Sequence, residues 1–163
     1  MKSILITLIS LLFFVNISTS QTNNLPSTKL KDLDGRTVSL DSLPNNTIYV
    51  VSFWATWCKP CKQELNNLSD NYDYWSDTVD FRVIAISVDD QKTIHQVSVE
   101  VYGKGWPFEV WLDKNQDLAR QMGVSSIPHT FVIKNKQIVY NHIGYSNGDE
   151  DLLYEFLKEL SKK

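Results

Sequence analysis

Residues 47–65 read TIYVVSFWATWCKPCKQEL and place both cysteines of the chain, Cys58 and Cys61, directly after an apolar run. The run from Thr47 to Trp54 is β-branched and aromatic, which is typical of a strand buried on both faces of a sheet. A helix from Pro60 to about Trp75 is predicted by apolar residues at steps of three and four, namely Leu65, Leu68, Tyr72 and Trp75. The cysteine pair therefore lies where a buried strand passes into a helix.

The rest of the chain alternates between strand and helix patterns. Lys29–Asp32 and Arg36–Leu40 flank a Leu33-Asp34-Gly35 turn, which predicts an N-terminal β-hairpin. The later predicted elements are a strand at Val79–Val88, a helix capped by Asp90 and ending at Gly103, a strand at Pro107–Leu112, a helix at Asn115–Met122, a hairpin of Thr130–Lys134 and Ile138–His142, and a helix from about Asp149 with Leu152, Leu153, Phe156, Leu157 and Leu160 on its apolar face. This order predicts an α/β fold, a central mixed β-sheet flanked by helices.

Composition narrows the class of protein. The chain has 163 residues and a formal net charge of -3, which suits one globular domain and argues against a nucleic-acid partner. Two cysteines are too few for a disulfide scaffold or a four-thiolate zinc site. His95, His129 and His142 are scattered along the sequence, so we expect no metal site and no cofactor.

The N-terminus resembles an export signal. Lys2 precedes an apolar stretch that ends at Val15, and small residues follow up to Ser20. The stretch is short for a membrane span, which needs about 20 apolar residues, and a cleaved signal peptide fits better. We therefore expect a signal peptide over residues 1–20, a polar lead-in over 21–27 and one domain over 28–163. An uncleaved signal that anchors the domain to a membrane is the alternative, and either form predicts an extracytoplasmic protein.

The spacing of Cys58 and Cys61 favours redox chemistry over a structural role. A disulfide that closes so short a loop stabilises a fold by only about 2 kcal/mol in the chain-entropy estimate. Cys58 should lie at the start of the predicted helix, where unpaired amide groups and the helix dipole stabilise a thiolate. Cys61 falls in the first turn, within reach to resolve a mixed disulfide. Pro60 suits that turn because its missing N–H would have no helical partner.

The segment from Ser52 to Leu65 resembles the active-site segment of thioredoxin-fold proteins, in particular the secreted TlpA/ResA-like thiol–disulfide oxidoreductases. Residues 126–131, SIPHTF, resemble the cis-proline loop of the same family, and the insertion from about Asp89 to Asp113 resembles that of this branch. The resemblance covers essentially the whole chain after residue 20. It implies a thioredoxin fold with an N-terminal β-hairpin and a central insertion.

The resemblance also implies roles for individual residues. Pro128 would be cis and face the cysteine pair, and the backbone of Ile127 would pair with a bound polypeptide. Trp57 would flank Cys58 on the surface, and Pro60 would belong to the same substrate-binding face. Glu64 lies three residues after Cys61, so its carboxylate can approach that sulfur, although a solvated helix glutamate fits the spacing equally well. The resemblance to the ResA-like branch, whose corresponding Glu lines the site, implies a role for Glu64 in proton transfer.

Two positions need separate comment. Thioredoxin itself has a buried Asp where this chain has Ser52, so a carboxylate base for Cys61 would have to be Glu64, or else water would take the proton. His129 follows the proline, where it either tunes the cysteine pair or only begins a strand. The second reading is the one we expect.

Three functions compete at this point. The first is an extracytoplasmic thiol–disulfide oxidoreductase, a monomer that reduces disulfides of protein substrates and is re-reduced by a membrane electron donor; in this branch the substrate is often apocytochrome c. The second is a peroxidase related to peroxiredoxins, which place a Thr three residues before the reactive Cys, where this chain has Ala55 and the neighbouring Thr56 is one residue off. The third is a non-catalytic binding domain with a permanent disulfide.

Overall fold

The structure is a computed structural model that describes residues 25–162. Its strands are β1 (Leu30–Asp32), β2 (Thr37–Val38), β3 (Ile48–Trp54), β4 (Phe81–Ser87), β5 (Glu109–Leu112), β6 (His129–Lys134) and β7 (Gln137–Ile143). Its helices are α1 (Lys59–Ser76), α2 (His95–Lys104), α3 (Asp117–Gln121) and α4 (Asp149–Ser161), with one short 3-10 turn at Leu40–Ser42. The predicted signal peptide lies outside the described residues.

One mixed sheet holds the domain together, with the strand order β2-β1-β5-β4-β3-β6-β7. Strands β3, β4 and β5 are parallel, whereas β6 and β7 continue the sheet in antiparallel pairing on one side and β1 and β2 on the other. The predicted central mixed sheet and the N-terminal β-hairpin are confirmed.

The central strand β3 is buried on both faces of the sheet. All seven of its residues are buried, as its continuous apolar sequence predicts. Helix α1 buries Leu65, Leu68 and Trp75 from its predicted stripe. At β6–β7 the two turn residues Asn135 and Lys136 both have positive φ, 51° and 61°, as a tight two-residue hairpin requires.

Several predicted boundaries and one predicted core residue differ from the structure: α3 is shorter than the predicted Asn115–Met122, β5 begins at Glu109 and not at Pro107, and both ends of α2 are shifted. The Asp90 carboxylate accepts hydrogen bonds from the amides of Lys92 and Thr93, so it closes a turn, and the helix begins only at His95. The helix ends at Lys104 and not at Gly103; Gly105, whose φ is 66°, caps it, because glycine adopts a left-handed conformation at little cost. Leu152 is 65% exposed, since α4 packs through Leu153 and Leu157.

No helix within residues 25–162 combines the length and the apolar character needed to cross a membrane.

Candidate active site

The two cysteines form a disulfide at the N-terminus of α1, with their Cα atoms 5.3 Å apart. Cys58 is the residue that caps the helix, and its sulfur accepts a hydrogen bond from the Cys61 amide at 3.3 Å. Cys58 is 6% exposed and Cys61 is fully buried, so an external reactant can reach the pair only at Cys58. A thiolate at Cys58 would face the positive end of an 18-residue helix, which stabilises the anion and favours reactivity there.

A shallow groove lies beside the cysteine pair. Trp57 is 64% exposed, and the Ile127–Pro128 peptide bond is cis, the geometry that the family resemblance implies. The groove has a volume of about 340 Å³, and the described residues that line it are all uncharged: Trp57, Val88, Gln116, Ala119, Val124, Ser125, Ser126 and Ile127. The structure thus brings two residues expected to bind substrate, Trp57 and Ile127, to one surface. Pro128 is buried, and Pro60 is exposed in the first turn of α1.

Glu64 is buried one helical turn after Cys61, and it is not a solvated surface glutamate. Its two carboxylate oxygens accept hydrogen bonds from the hydroxyls of Ser52, at 2.7 Å, and Thr130, at 2.6 Å. Burial raises the pKa of Glu64, and the two hydroxyls only partly oppose that effect. We expected that Ser52 could not itself serve as a carboxylate base and that Glu64 or water would be needed; in the structure the Ser52 hydroxyl donates a hydrogen bond to the Glu64 carboxylate.

A second buried carboxylate, Asp89, fixes the loop that leads into Cys58, and sequence reasoning missed it. Its oxygens accept hydrogen bonds from the Thr56 amide at 2.9 Å, the Thr56 hydroxyl at 2.6 Å and the Ser87 hydroxyl at 2.9 Å. The signal was present in the sequence, because Asp89 follows directly after an apolar strand. The carboxyl ends of the parallel strands β3 and β4 meet at the same edge of the sheet, which brings Asp89 beside Thr56.

His129 begins β6, as we expected. Its ring stacks on Phe131, with centroids 4.2 Å apart, and its Nε2 lies 2.6 Å from the side-chain oxygen of Asn141 on β7. Within residues 25–162, no group of three or more His, Cys, Asp or Glu side chains is arranged to hold a metal ion.

Comparison with known proteins agrees with this geometry. A model of the AhpC/TSA family matches residues 22–142. The chain belongs to the AhpC/TSA family. Among relatives in this broad family, the chain is 28% identical over 137 residues to the thiol-disulfide oxidoreductase ResA of Bacillus anthracis, an alignment that covers 83% of this chain and 76% of that protein.

Solved structures similar to this family member show the same fold. A thioredoxin-like protein from Porphyromonas gingivalis has a TM-score of 0.76 and 41% sequence identity, covering 85% of this chain and 92% of that one. A thiol:disulfide interchange protein DsbE from Chlorobium tepidum has a TM-score of 0.70 and 23% identity, covering 81% and 91%. The predicted thioredoxin fold is confirmed, and the paired cysteines make this a thiol–disulfide oxidoreductase.

Proposed function

We propose that this oxidoreductase works outside the cytoplasm as a reductase of disulfides in exported proteins. The observation that carries the proposal is the position of the cysteine pair: Cys58 follows Trp57, which lines an uncharged groove, and Cys61 is fully buried. The export pattern of residues 1–20 supports the location. The domain would act as a monomer. It would need no cofactor, because the two sulfurs carry both electrons.

The proposed reaction has two steps. The Cys58 thiolate attacks one sulfur of the substrate disulfide, so a Cys58–substrate disulfide forms and the other substrate sulfur leaves as a thiolate. Cys61 then loses its proton and attacks the Cys58 sulfur, which forms the Cys58–Cys61 disulfide and releases the second substrate thiolate. Two electrons pass to the substrate, and the buried Glu64 is the group that we assign to accept the proton of Cys61.

The groove beside Cys58 suits a polypeptide substrate. Trp57 offers an exposed aromatic face, which packs against apolar groups at little entropic cost. Ile127 also lines the groove, and we assign its backbone to hydrogen-bond an extended chain, as in strand addition to a sheet. Because the lining is uncharged, we expect the groove to accept apolar or small polar side chains next to the reactive cysteine and to disfavour charged ones.

Two partners follow from a reductive direction. A membrane electron donor would re-reduce the Cys58–Cys61 disulfide, because each turnover of a reductase leaves the pair oxidised. For the substrate, the family resemblance favours apocytochrome c, whose haem-attachment motif C-x-x-C-H can itself form a disulfide.

The test measures the reduction potential of the cysteine pair and the rate at which the reduced protein opens an oxidised C-x-x-C-H peptide. We expect a potential near that of thioredoxin, about −270 mV, together with peptide reduction. A potential near −120 mV would make the protein an oxidant and contradict the proposal. Rapid consumption of hydrogen peroxide without peptide reduction would favour the peroxidase alternative. One observation speaks against that alternative: the Thr56 hydroxyl donates a hydrogen bond to Asp89 in the structure.

A further inference from the structure

A small cavity lies between the buried Glu64 and the protein surface, on the side of α1 that packs against β7 and α4. Its volume is about 10 Å³, which is close to the minimum for one water molecule. Glu64 and Thr130 line it together with Tyr140 and His142 of β7, Tyr145, and Asp149 and Glu150 of α4. The cavity thus connects a buried carboxylate with a set of titratable groups near solvent.

The sheet register explains how these groups come together. Ser52 of β3 is the direct partner of Thr130 of β6, and Thr130 is the direct partner of His142 of β7. Directly paired residues of neighbouring strands project to the same face, so these three side chains form a row from the centre of the sheet to its edge. Glu64 packs over the inner part of that row, and His142 is its outer member.

The groups at the outer end differ in their capacity to exchange a proton. Burial and a hydrogen bond to Glu150 raise the pKa of Tyr145 to about 12, so this phenol keeps its proton at neutral pH. Burial also raises the pKa of Tyr140. Burial alone would raise the pKa of Glu150, but hydrogen bonds from Tyr145 and the backbone hold it below its usual value, so Glu150 stays ionised.

Of the groups at the outer end of the cavity, His142 is the one left to exchange a proton with solvent. Its Nε2 lies 3.2 Å from an oxygen of Asp149, and the two side chains are 36% and 24% exposed, so the pair is open to solvent. Histidine is the side chain suited to taking up and releasing a proton near neutral pH. A positive charge on His142 would favour the ionised Glu64 carboxylate, whereas the negative charge of Asp149 opposes it.

We propose that His142, oriented by Asp149, carries protons between solvent and Glu64 through this cavity during the resolving step. The inference rests on the proposed reductase function. As Cys61 attacks Cys58, the thiol proton of Cys61 passes to the Glu64 carboxylate, and the second substrate sulfur leaves as a thiolate. Glu64 then returns to its ionised form by passing the proton to a water in the cavity and on to the neutral imidazole of His142, which releases it to solvent.

The test uses the reduced protein and an aromatic disulfide, dithiobis(nitrobenzoate), in a stopped-flow experiment. Attack by Cys58 releases one coloured thiolate, and resolution by Cys61 releases a second. Because this leaving thiolate needs no proton, the second phase reports the deprotonation of Cys61. We expect H142A to slow the second phase roughly tenfold, less than the 10²–10⁴ attributed to a direct acid–base group, and to leave the first phase unchanged.

Rescue and controls separate proton transfer from a structural effect. Imidazole added to the buffer should restore the second phase of H142A, and it should not restore that of E64Q, where the buried acceptor is missing. H142Q, which keeps the side-chain volume, should slow the second phase as H142A does. H95A changes the exposed His95 of α2, which does not line the cavity, and should match the wild type.

The outcomes are distinct. An unchanged second phase in H142A and H142Q, or a slowed phase that imidazole does not restore, would overturn the role of His142 while leaving the reductase function intact. A wild-type protein that lacks the two phases, and that also fails to open the C-x-x-C-H peptide, would overturn the proposed function and this inference with it.

Discussion

Two buried carboxylates flank the cysteine segment, and their surroundings differ. Asp89 accepts three hydrogen bonds, one of them from a backbone amide, and all three donors belong to Thr56 and Ser87 beside the loop that enters Cys58. Glu64 accepts only two, both from hydroxyls, and it borders a cavity that leads towards solvent. A carboxylate tied to the backbone positions a loop, whereas one held by rotatable hydroxyls beside a water-sized space can gain and lose a proton.

The largest effect is expected from removing Asp89. D89A would leave a buried amide and two buried hydroxyls without their acceptor, and hydrogen bonds to charged groups are worth about 1.5–3 kcal/mol each. We expect a loss of roughly 3 kcal/mol or more in the free energy of unfolding, measured by urea denaturation. Slower attack by Cys58 should accompany it, because the loop before it is released. D89N, which keeps two of the acceptor contacts, should lose less, and equal stability of D89A and the wild type would show that Asp89 does not hold the loop.

The pH dependence of stability should single out Glu64. Because burial raises its pKa in the folded state, the unfolded chain gives up this proton first as the pH rises. The folded protein therefore loses stability as the pH rises from the ordinary glutamate value, about 4.5, through the raised pKa. Below that interval the carboxyl is protonated in both states and the loss is absent.

The matching variant is E64Q, which stays neutral at every pH. The difference in unfolding free energy between the wild type and E64Q should shift in favour of E64Q as the pH is raised from 4 to 8. Buried Asp113, whose pKa burial also raises, is present in both proteins and cancels in the difference. A constant difference across this range would mean that Glu64 does not change its protonation on folding.

The smallest effects are expected from removing one hydroxyl at each carboxylate. T130V deletes a donor to Glu64, so it should raise the pKa of Glu64 further, visible as a shift in the infrared titration of the carboxyl band. T56V deletes a donor to Asp89 and should cost about 1.5–3 kcal/mol of stability without changing that titration. Identical titrations of T130V and the wild type would contradict the hydrogen bond seen here.

The local features of the fold and site were predictable from the sequence. The apolar run before Cys58, the position of Cys61 in the first helical turn and the Asn135-Lys136 turn all follow from residues adjacent in the chain. The partners of Glu64 were not predictable in this way. Ser52 and Thr130 lie 78 residues apart in the chain (130 − 52 = 78). They meet only because β3 and β6 pair in one particular register. Spacing alone could not distinguish a buried Glu64 from a solvated one.

At Asp90 and Leu152, by contrast, a local sequence pattern predicted a structural role that the residue does not have. Asp90 matches the pattern of a helix cap, yet its carboxylate accepts hydrogen bonds from amides of the turn before α2. Leu152 matches an apolar helix face, yet α4 packs through other leucines. Tertiary packing decides which of several compatible local patterns is used.

The central claim is that Cys58 attacks a substrate disulfide and Cys61 resolves the product. It is tested most directly by mass spectrometry of C61S and C58S after incubation, in reduced form, with the oxidised C-x-x-C-H peptide. We predict that C61S accumulates a covalent adduct of one peptide at Cys58, stable without reductant, and that C58S forms none. Adduct formation by C58S, or full turnover by that variant, would contradict the account.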